Sequence, residues 1–211
     1  MFHSLYQQAQ TPSAPDTAQP WPATYLDAMA DLTPAQWTLT VDGLVEKPRS
    51  FTYSEFLALQ PALSQQERRL ISAEGWSYRG QFEGILLAAL VNAVKPSPQA
   101  KFLIQTNASD HQTAIDLTMA IREKAMFCHR VNGQALSPLY GGPIRLMVFH
   151  RFSHKGLGQV TRLTFSETPL EASQDFWVHK GYTLEGTVSP GDYYAFDLGA
   201  FRPIREPEQV S

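Results

Sequence analysis

The fold class is decided by residues 37–48, which read WTLTVDGLVEKP. Trp37, Leu39 and Val41 alternate there with polar residues, and this two-residue period predicts a half-buried strand that ends at the following glycine. Residues 46–50 then combine charged residues with a proline and a serine, which predicts a turn. We therefore expect a domain whose framework is built on strands.

The rest of the chain continues this pattern in both directions. Runs of β-branched and aromatic residues predict further strands at 68–74, 101–106, 113–115, 125–131, 144–150 and 160–166. The predicted helices cover 54–59, 82–94 and 117–124. Thr52 or Ser54 is the expected N-cap of the first helix and Asp116 that of the third, and Asn132-Gly133 predicts a tight turn. Because strands and helices do not alternate strictly, the fold class is α+β with a mixed β-sheet and few helices.

Composition and charge exclude several classes of protein. The chain has 211 residues with 17 Lys plus Arg against 20 Asp plus Glu, so its formal charge is −3. This balance predicts no general attraction to nucleic acid or to anionic lipid. The longest apolar run, residues 85–91, is far shorter than the ~20 residues that a membrane-spanning helix requires. We expect no nucleic-acid partner and no membrane span.

The beginning of the chain differs from the rest. Residues 1–22 are rich in Gln, Ala, Thr, Ser and Pro, a composition that predicts a mobile arm, and residues 23–211 are expected to form a single domain. The first residues contain neither a basic segment nor an apolar one of the kind that signal peptides carry. As written, the sequence predicts a cytoplasmic protein, or a periplasmic one if a leader has been removed.

The single cysteine, Cys128, excludes an intrachain disulfide. It lies in the apolar stretch 125–128, which favours a buried small hydrophobe over a metal-binding thiolate. His150 and His154 suggest a metal site by composition alone. If both lie on one strand, however, their backbones are roughly 13 Å apart, which is too far for one ion.

The stretch between Pro143 and Arg162 is the one place where positive charge accumulates. It contains six basic residues and no acidic residue, namely Arg145, His150, Arg151, His154, Lys155 and Arg162. Gly156 and Gly158 allow backbone N–H groups to approach a phosphate closely. The pattern predicts a local anion site, and the alternative is a solvated basic turn.

A second segment of interest, residues 68–78, runs from a predicted strand into a turn of small residues. Ser72 has no neighbouring base and no Gly-x-Ser-x-Gly motif around it, so it is not supported as a hydrolase nucleophile. Taken alone, Ser72 is an ordinary strand serine and Trp76 a core aromatic residue.

Five motifs in order along the chain resemble the molybdopterin-binding oxidoreductase domain of the sulfite oxidase family, especially its small bacterial members. They are VDGLVEKP at 41–48, EGWS at 74–77, VNGQAL at 131–136, GGPIRL at 141–146 and KG at 155–156. The resemblance covers about residues 36–182 and implies an α+β domain that binds the molybdenum cofactor, molybdopterin. It also implies oxygen-atom transfer with a small-molecule substrate and a possible redox partner protein.

The resemblance also assigns roles to individual residues. Arg145 and Lys155 correspond to the family's residues near the pterin phosphate, and Gly156 and His154 adjoin them. Asn107 and His111 fall where the family builds part of its pocket rim. Ser72 stands at the position of the family's cysteine ligand to molybdenum. A serine hydroxyl ionises far less readily than a thiol, so Ser72 is either an oxygen ligand or a bystander.

Three functions remain open at this point. The first is a molybdopterin-binding oxidoreductase-like protein of the oxygen-atom-transfer type, whose catalytic competence is in doubt without the cysteine. The second is a non-catalytic binding module for a pterin or another phosphorylated anion. The third is a protein-interaction domain with an empty pocket, in which the arm and the segment 177–201 bind a partner.

Overall fold

The computed structural model describes residues 31–60, 63–73, 77–188, 193–195 and 200–202. The arm predicted at 1–22 lies outside these ranges, as do residues 189–192 and 196–199 of the segment 177–201, so the domain bounds remain predictions. No helix within the described part of the chain is both long enough and apolar enough to cross a membrane.

Strands dominate the described residues. They are β1 Thr38–Gly43, β2 Arg49–Thr52, β3 Ser64–Ile71, β4 Ser77–Leu86, β5 Phe102–Asn107, β6 Gln112–Asp116, β7 Met126–Val131, β8 Gln134–Ala135, β9 Arg145–Met147, β10 Val160–Ser166, β11 Tyr193–Ala195 and β12 Ala200–Arg202. The helices are α1 Tyr53–Leu57, α2 Leu87–Val94, α3 Leu117–Arg122 and α4 Phe176–His179, with 3-10 turns at Pro138–Tyr140 and Ser153–Lys155. The expected α+β class with a mixed sheet is confirmed.

Two sheets carry the architecture. The first has the order β2-β1-β10-β5-β6, in which β1 and β10 run parallel and the other neighbours are antiparallel. The second is antiparallel, with the order β3-β4-β7-β8 and with β9 also paired to β7. The parallel pair joins residues far apart in sequence, since Thr40 lies opposite Arg162.

The main core unites both sheets with α1, α2 and α3. Leu39 and Val41 from β1 and Phe127 from β7 are all fully buried in it. The rings of Phe56 and Phe127 meet edge to face, with centroids 5.1 Å apart. A second apolar cluster, which includes Leu70, lies on the second sheet.

The predicted helix over 82–94 is wrong in its first half. Residues up to Leu86 belong to β4, and α2 begins at Leu87. A bulge at Glu83 and Gly84 shifts the register against β7. A side chain at Gly84 would overlap the carbonyl of Phe127, so the two strands approach closely there. The bulge breaks the strand period, which is why the spacing of the apolar residues resembled a helix.

Two strand predictions also need correction. The strand expected at 144–150 is only Arg145–Met147, and His150 has a φ of 68° in an exposed turn. The strand expected at 68–74 is β3, which begins four residues earlier and ends at Ile71. His150 and His154 therefore do not share a strand, because His154 lies in the 3-10 turn.

The predicted helix caps and the predicted Asn132-Gly133 turn are confirmed, whereas the turn predicted over 46–50 is shorter because β2 begins at Arg49. Thr52 forms a capping box with Glu55 at the start of α1, and the Asp116 side chain accepts a hydrogen bond from the Met119 amide at the start of α3. Asn132 and Gly133 have positive φ angles of 49° and 77°, as a tight hairpin turn requires.

Candidate cofactor-binding site

The end of β3 and the loop after β9 meet side by side. Ile71 forms an isolated parallel bridge with Phe152, so Ser72, which is 3% exposed, follows directly on this contact. The Arg145 guanidinium donates to the carbonyl oxygens of Tyr140, at 3.4 Å, and Ser153, at 3.5 Å. The fold thus brings the positions of Ser72 and Arg145 to one loop, although 73 residues separate them in sequence.

The ammonium of Lys155 is fully buried and bound by side chains. Its Nζ lies 2.9 Å from Asp175 Oδ2 and 2.9 Å from Thr113 Oγ1, and the Thr113 hydroxyl also donates to that carboxylate at 2.6 Å. Lys155 is 0% exposed and Asp175 is 1% exposed. The phosphate contact expected of Lys155 stays a prediction, since its described partners are protein groups.

Burial and pairing oppose each other within this ion pair. Burial lowers the pKa of Lys155, while the Asp175 carboxylate favours the charged ammonium. Burial alone would raise the pKa of Asp175, but Lys155 and the Thr113 hydroxyl hold it below its ordinary value. Each group therefore favours the charged form of the other.

His154 lies in an aromatic cluster formed with Phe152, Trp177 and Tyr182. Its ring stacks 6.0 Å from Phe152 and 5.4 Å from Trp177, measured between centroids, and Tyr182 meets it edge-on at 5.3 Å. Both of its ring nitrogens are buried and lack a hydrogen-bond partner among the described residues. Burial, followed by the charge of Lys155, lowers the pKa of His154 to about 3, so the imidazole is neutral at pH 7.

The Tyr182 hydroxyl links this aromatic cluster to the end of β3. It donates a 2.8 Å hydrogen bond to the carbonyl oxygen of Ala73, the residue after Ser72. Ala73, Phe152, Trp177 and Tyr182 form one buried group. The segment from Asp175 to Tyr182 thus contacts Lys155, His154 and the neighbour of Ser72.

Gly156 is required by close packing. A side chain at this position would overlap the carbonyl oxygen of Leu146. Buried Gln105 holds the same loop, because its amide donates to the Lys155 carbonyl at 2.8 Å and accepts from the Leu157 amide at 2.9 Å. The backbone around Gly156 is therefore held between β9 of the second sheet and β5 of the first sheet.

Asn107 and His111 lie at the turn between β5 and β6. Asn107 is 2% exposed, and its side-chain oxygen accepts from the backbone amides of Ser109, at 3.0 Å, and His111, at 2.9 Å. Asn107 therefore stabilises the turn between β5 and β6. The charge of His111 is among the lesser causes that lower the pKa of His154.

The basic stretch does not form one continuous surface. Arg151 is bound by Glu123 at 2.6 Å, and Arg162 contacts Asp42 at 2.8 Å on β1. Carboxylates from other elements thus pair with both guanidinium groups, and the local anion site of this stretch stays a prediction.

The molybdenum cofactor consists of an anionic organic part, molybdopterin, and a metal, and the residues present suit the two unequally. A guanidinium and a buried, unpartnered imidazole fit the organic part. A thiolate for the metal is missing from the described site, since Cys128 is fully buried and burial raises its pKa to about 12. Within the described ranges, no group of three His, Cys, Asp or Glu side chains could hold a metal ion.

A separate cavity of about 420 Å³ lies beside α3. Phe102, Arg122 and Glu185 are among its lining residues, and none of the predicted site residues line it. It therefore offers no support for the predicted binding residues.

Sequence reasoning did not find Gln105, Thr113, Asp175, Trp177 or Tyr182 as parts of this site. One signal was available, because a lysine in an apolar loop needs an acidic partner when it is buried. The sequence does not say which of its acidic residues supplies that partner.

The family profile for the oxidoreductase molybdopterin binding domain matches residues 26–177, more than two thirds of the chain. Among curated proteins, the chain is 26% identical over 181 residues to the NADPH nitrate reductase of Beauveria bassiana. It is 27% identical over 160 residues to a putative protein-methionine-sulfoxide reductase subunit, YedZ1, of Azospira oryzae.

These alignments cover 73% and 76% of this chain but only 20% and 59% of the two relatives. Among solved structures, the sulfane dehydrogenase SoxCD of Paracoccus pantotrophus superposes with a TM-score of 0.64 at 20% identity. That match covers 83% of this chain and 46% of the other, and it supports the fold alone.

Proposed function

Since this chain belongs to the oxidoreductase molybdopterin-binding domain family, we propose that it binds molybdopterin beside Arg145 and the 153–156 loop without a protein thiolate on the metal. The family establishes molybdopterin as the cofactor to consider. The proposal adds to this which residues hold the cofactor and which metal ligand the chain lacks when position 72 carries a serine.

One observation carries the proposal, namely the meeting of Ser72, Arg145 and His154 at a single loop. Ser72 follows the Ile71–Phe152 bridge, and Arg145 reaches the Ser153 carbonyl of the same loop. His154, the next residue, has two buried nitrogens without a described partner, which is costly unless a bound group satisfies them. These features support a ligand with an anionic end and polar ring edges.

When bound, the cofactor would supply two-electron oxygen-atom-transfer chemistry at its metal. This chain's contribution is to bind and orient the group. Arg145 offers charge-assisted hydrogen bonds to the phosphate, and the neutral His154 ring can donate one hydrogen bond and accept another. The serine at position 72 keeps its proton unless a metal displaces it.

The second candidate is a binding module without catalysis. The side chains that could bind an anionic ligand are still present, which favours this candidate over a protein-interaction domain with an empty pocket. Ser72 stands at the position that the resemblance assigns to the cysteine ligand, and Cys128 is buried with its pKa raised to about 12. A redox partner belongs to the first candidate function, since the Azospira relative is named as a reductase subunit.

The direct test is to isolate the protein from a bacterium that makes molybdopterin and to measure pterin and molybdenum per chain. We expect pterin, detected by the fluorescence of its oxidised derivative, in the unmodified protein. Arg145→Ala is expected to lower the pterin content about ten-fold or more, because it removes a charge-assisted contact.

Arg162→Ala is the matched control, because Arg162 pairs with Asp42 on β1, away from the loop. It should leave the pterin content unchanged. Absence of pterin from the unmodified protein, or equal loss in both variants, would contradict the proposed function.

Restoring the sulfur tests the role of position 72. Ser72→Cys replaces a buried hydroxyl with a thiol of similar size, so the fold should accept it. We expect the ratio of molybdenum to pterin to rise, because a thiolate binds this metal better than a serine hydroxyl does. The measurement is elemental analysis of both proteins from the same host. An unchanged ratio at equal pterin content would place Ser72 away from the metal.

A further inference from the structure

We infer that Asp175 is a positioning residue of this site, and that Lys155 fixes the 153–156 loop through it without contacting the phosphate. This inference rests on the proposed function, because it assigns the task of each cation within the same site. It departs from the role that the family resemblance gives to Lys155.

The Lys155 ammonium has no exposed surface. The residue is 0% exposed, and its Nζ is bound at 2.9 Å by Asp175 and at 2.9 Å by Thr113. A phosphate could reach it only by breaking a buried ion pair. Separating such a pair is strongly unfavourable, because each charge would lose its compensation.

Contacts from β5, β6 and β9 hold the 153–156 loop. Lys155 binds Thr113 of β6 with its side chain, while its own carbonyl accepts from Gln105 of β5. Gly156 lies against the Leu146 carbonyl, next to Arg145 on β9. These contacts fix the loop from three strands, and the same loop supplies the Ser153 carbonyl that Arg145 contacts.

Asp175 lies at the start of α4 and contacts two parts of the site. Its Oδ2 binds Lys155, and its Oδ1 caps the helix by accepting from the Val178 amide at 3.3 Å. The helix carries Trp177, which stacks on His154. One carboxylate therefore sets the loop and the aromatic cluster together, which is what a positioning residue does.

The charge available to a ligand follows from this pairing. Lys155 and Asp175 compensate each other, and the pKa of His154 of about 3 keeps its ring uncharged. Lys155 and Asp175 together therefore add no net charge to the 153–156 loop, and His154 adds none at pH 7.

The first experiment measures access to Lys155 directly, on the full chain and without any ligand. The protein is treated with an acetylating reagent, and the reaction of each lysine is followed by mass spectrometry. Lys155 should react at least about ten-fold more slowly than Lys101, because reaction requires local opening. Lys101 is a suitable internal control, since its side chain is 62% exposed and also faces a carboxylate, that of Glu167 at 3.7 Å. Equal rates would overturn the buried pair.

The second experiment separates positioning from phosphate contact. The double variant Lys155→Met/Asp175→Asn removes both charges. The amide oxygen at position 175 can still accept from the Val178 amide, and the amide nitrogen can donate to the Thr113 hydroxyl. Isolated from the molybdopterin-producing host, it should keep its pterin content within about two-fold of the unmodified protein, since the contact to the phosphate is retained. The single variant Asp175→Asn leaves Lys155 charged without its partner, so the 153–156 loop should shift. Lys155 should then become open to acetylation, and the pterin content should fall. A folded double variant that loses pterin as fully as Arg145→Ala would overturn the inference.

The two proposals fail in different ways. If the unmodified protein holds no pterin, the proposed function fails while the acetylation rates still decide whether Lys155 is held by Asp175. If pterin is present but Lys155 reacts as fast as Lys101, the proposed function stands and this inference fails.

Discussion

Lys155→Met is expected to lower the free energy of unfolding by about 3–5 kcal/mol. The methionine fills much of the same space, so the loss comes from Asp175, which is 1% exposed and would keep a buried charge without its partner. Urea denaturation followed by circular dichroism measures the effect. Binding assays on this single variant alone would confuse instability with lost contact.

Two controls make the result specific. Lys155→Met/Asp175→Asn should recover most of the lost stability, because no unpaired charge remains. Lys101→Met breaks an exposed pair with Glu167 and should change stability by less than about 1 kcal/mol. If Lys155→Met also stays within about 1 kcal/mol of the unmodified protein, the buried ion pair is wrong.

The second large effect concerns His154 and acid. The pKa of His154 is about 3 in the folded protein, against 6.5 for an ordinary histidine. Between these two pH values the histidine is therefore protonated in the unfolded chain but not in the folded one. Stability should therefore fall as the pH drops from 6.5 towards 3, by about 1.4 kcal/mol per pH unit from this residue. Above pH 6.5 the residue contributes no pH dependence.

His154→Phe should remove this share of the acid sensitivity, because phenylalanine keeps the stacking but carries no titrating nitrogen. The measurement is the difference in unfolding free energy between the two proteins at pH 7 and at pH 5. His150→Gln, a change at an exposed turn, is the control and should leave the pH dependence unaltered. Identical curves for His154→Phe and the unmodified protein would show that His154 is not buried neutral. Protonation of Asp175 at low pH also destabilises the folded protein. This contribution is the same in the unmodified protein and in His154→Phe.

Much of the fold could be predicted from the sequence. The two-residue period at Trp37 to Val41 gave β1, and Asp116 marked the start of α3 because short polar side chains cap helices. The order of the motifs led to the family that the profile match establishes. These features are local, so neighbouring residues carry the information.

The errors arose where distant residues decide the structure. Residues 82–86 form a strand because β7 lies beside them, and the bulge at Glu83 and Gly84 disguises its period. The cations near Lys155 looked like one anion site, yet Asp175, Glu123 and Asp42 come from other elements to pair with three of them. Charge counted along a chain does not reveal where tertiary contacts neutralise it.

The parallel pairing of β1 with β10 sets the order in which this domain can assemble. β1 can pair with its neighbour β2 as soon as both are synthesised, but its other edge waits for residues about 120 positions further along, where Arg162 contacts Asp42. Contacts of such long sequence separation form late and slow folding. During synthesis at the ribosome, the half-made first sheet exposes an unpaired edge, so truncated chains that end before β10 should accumulate as aggregates.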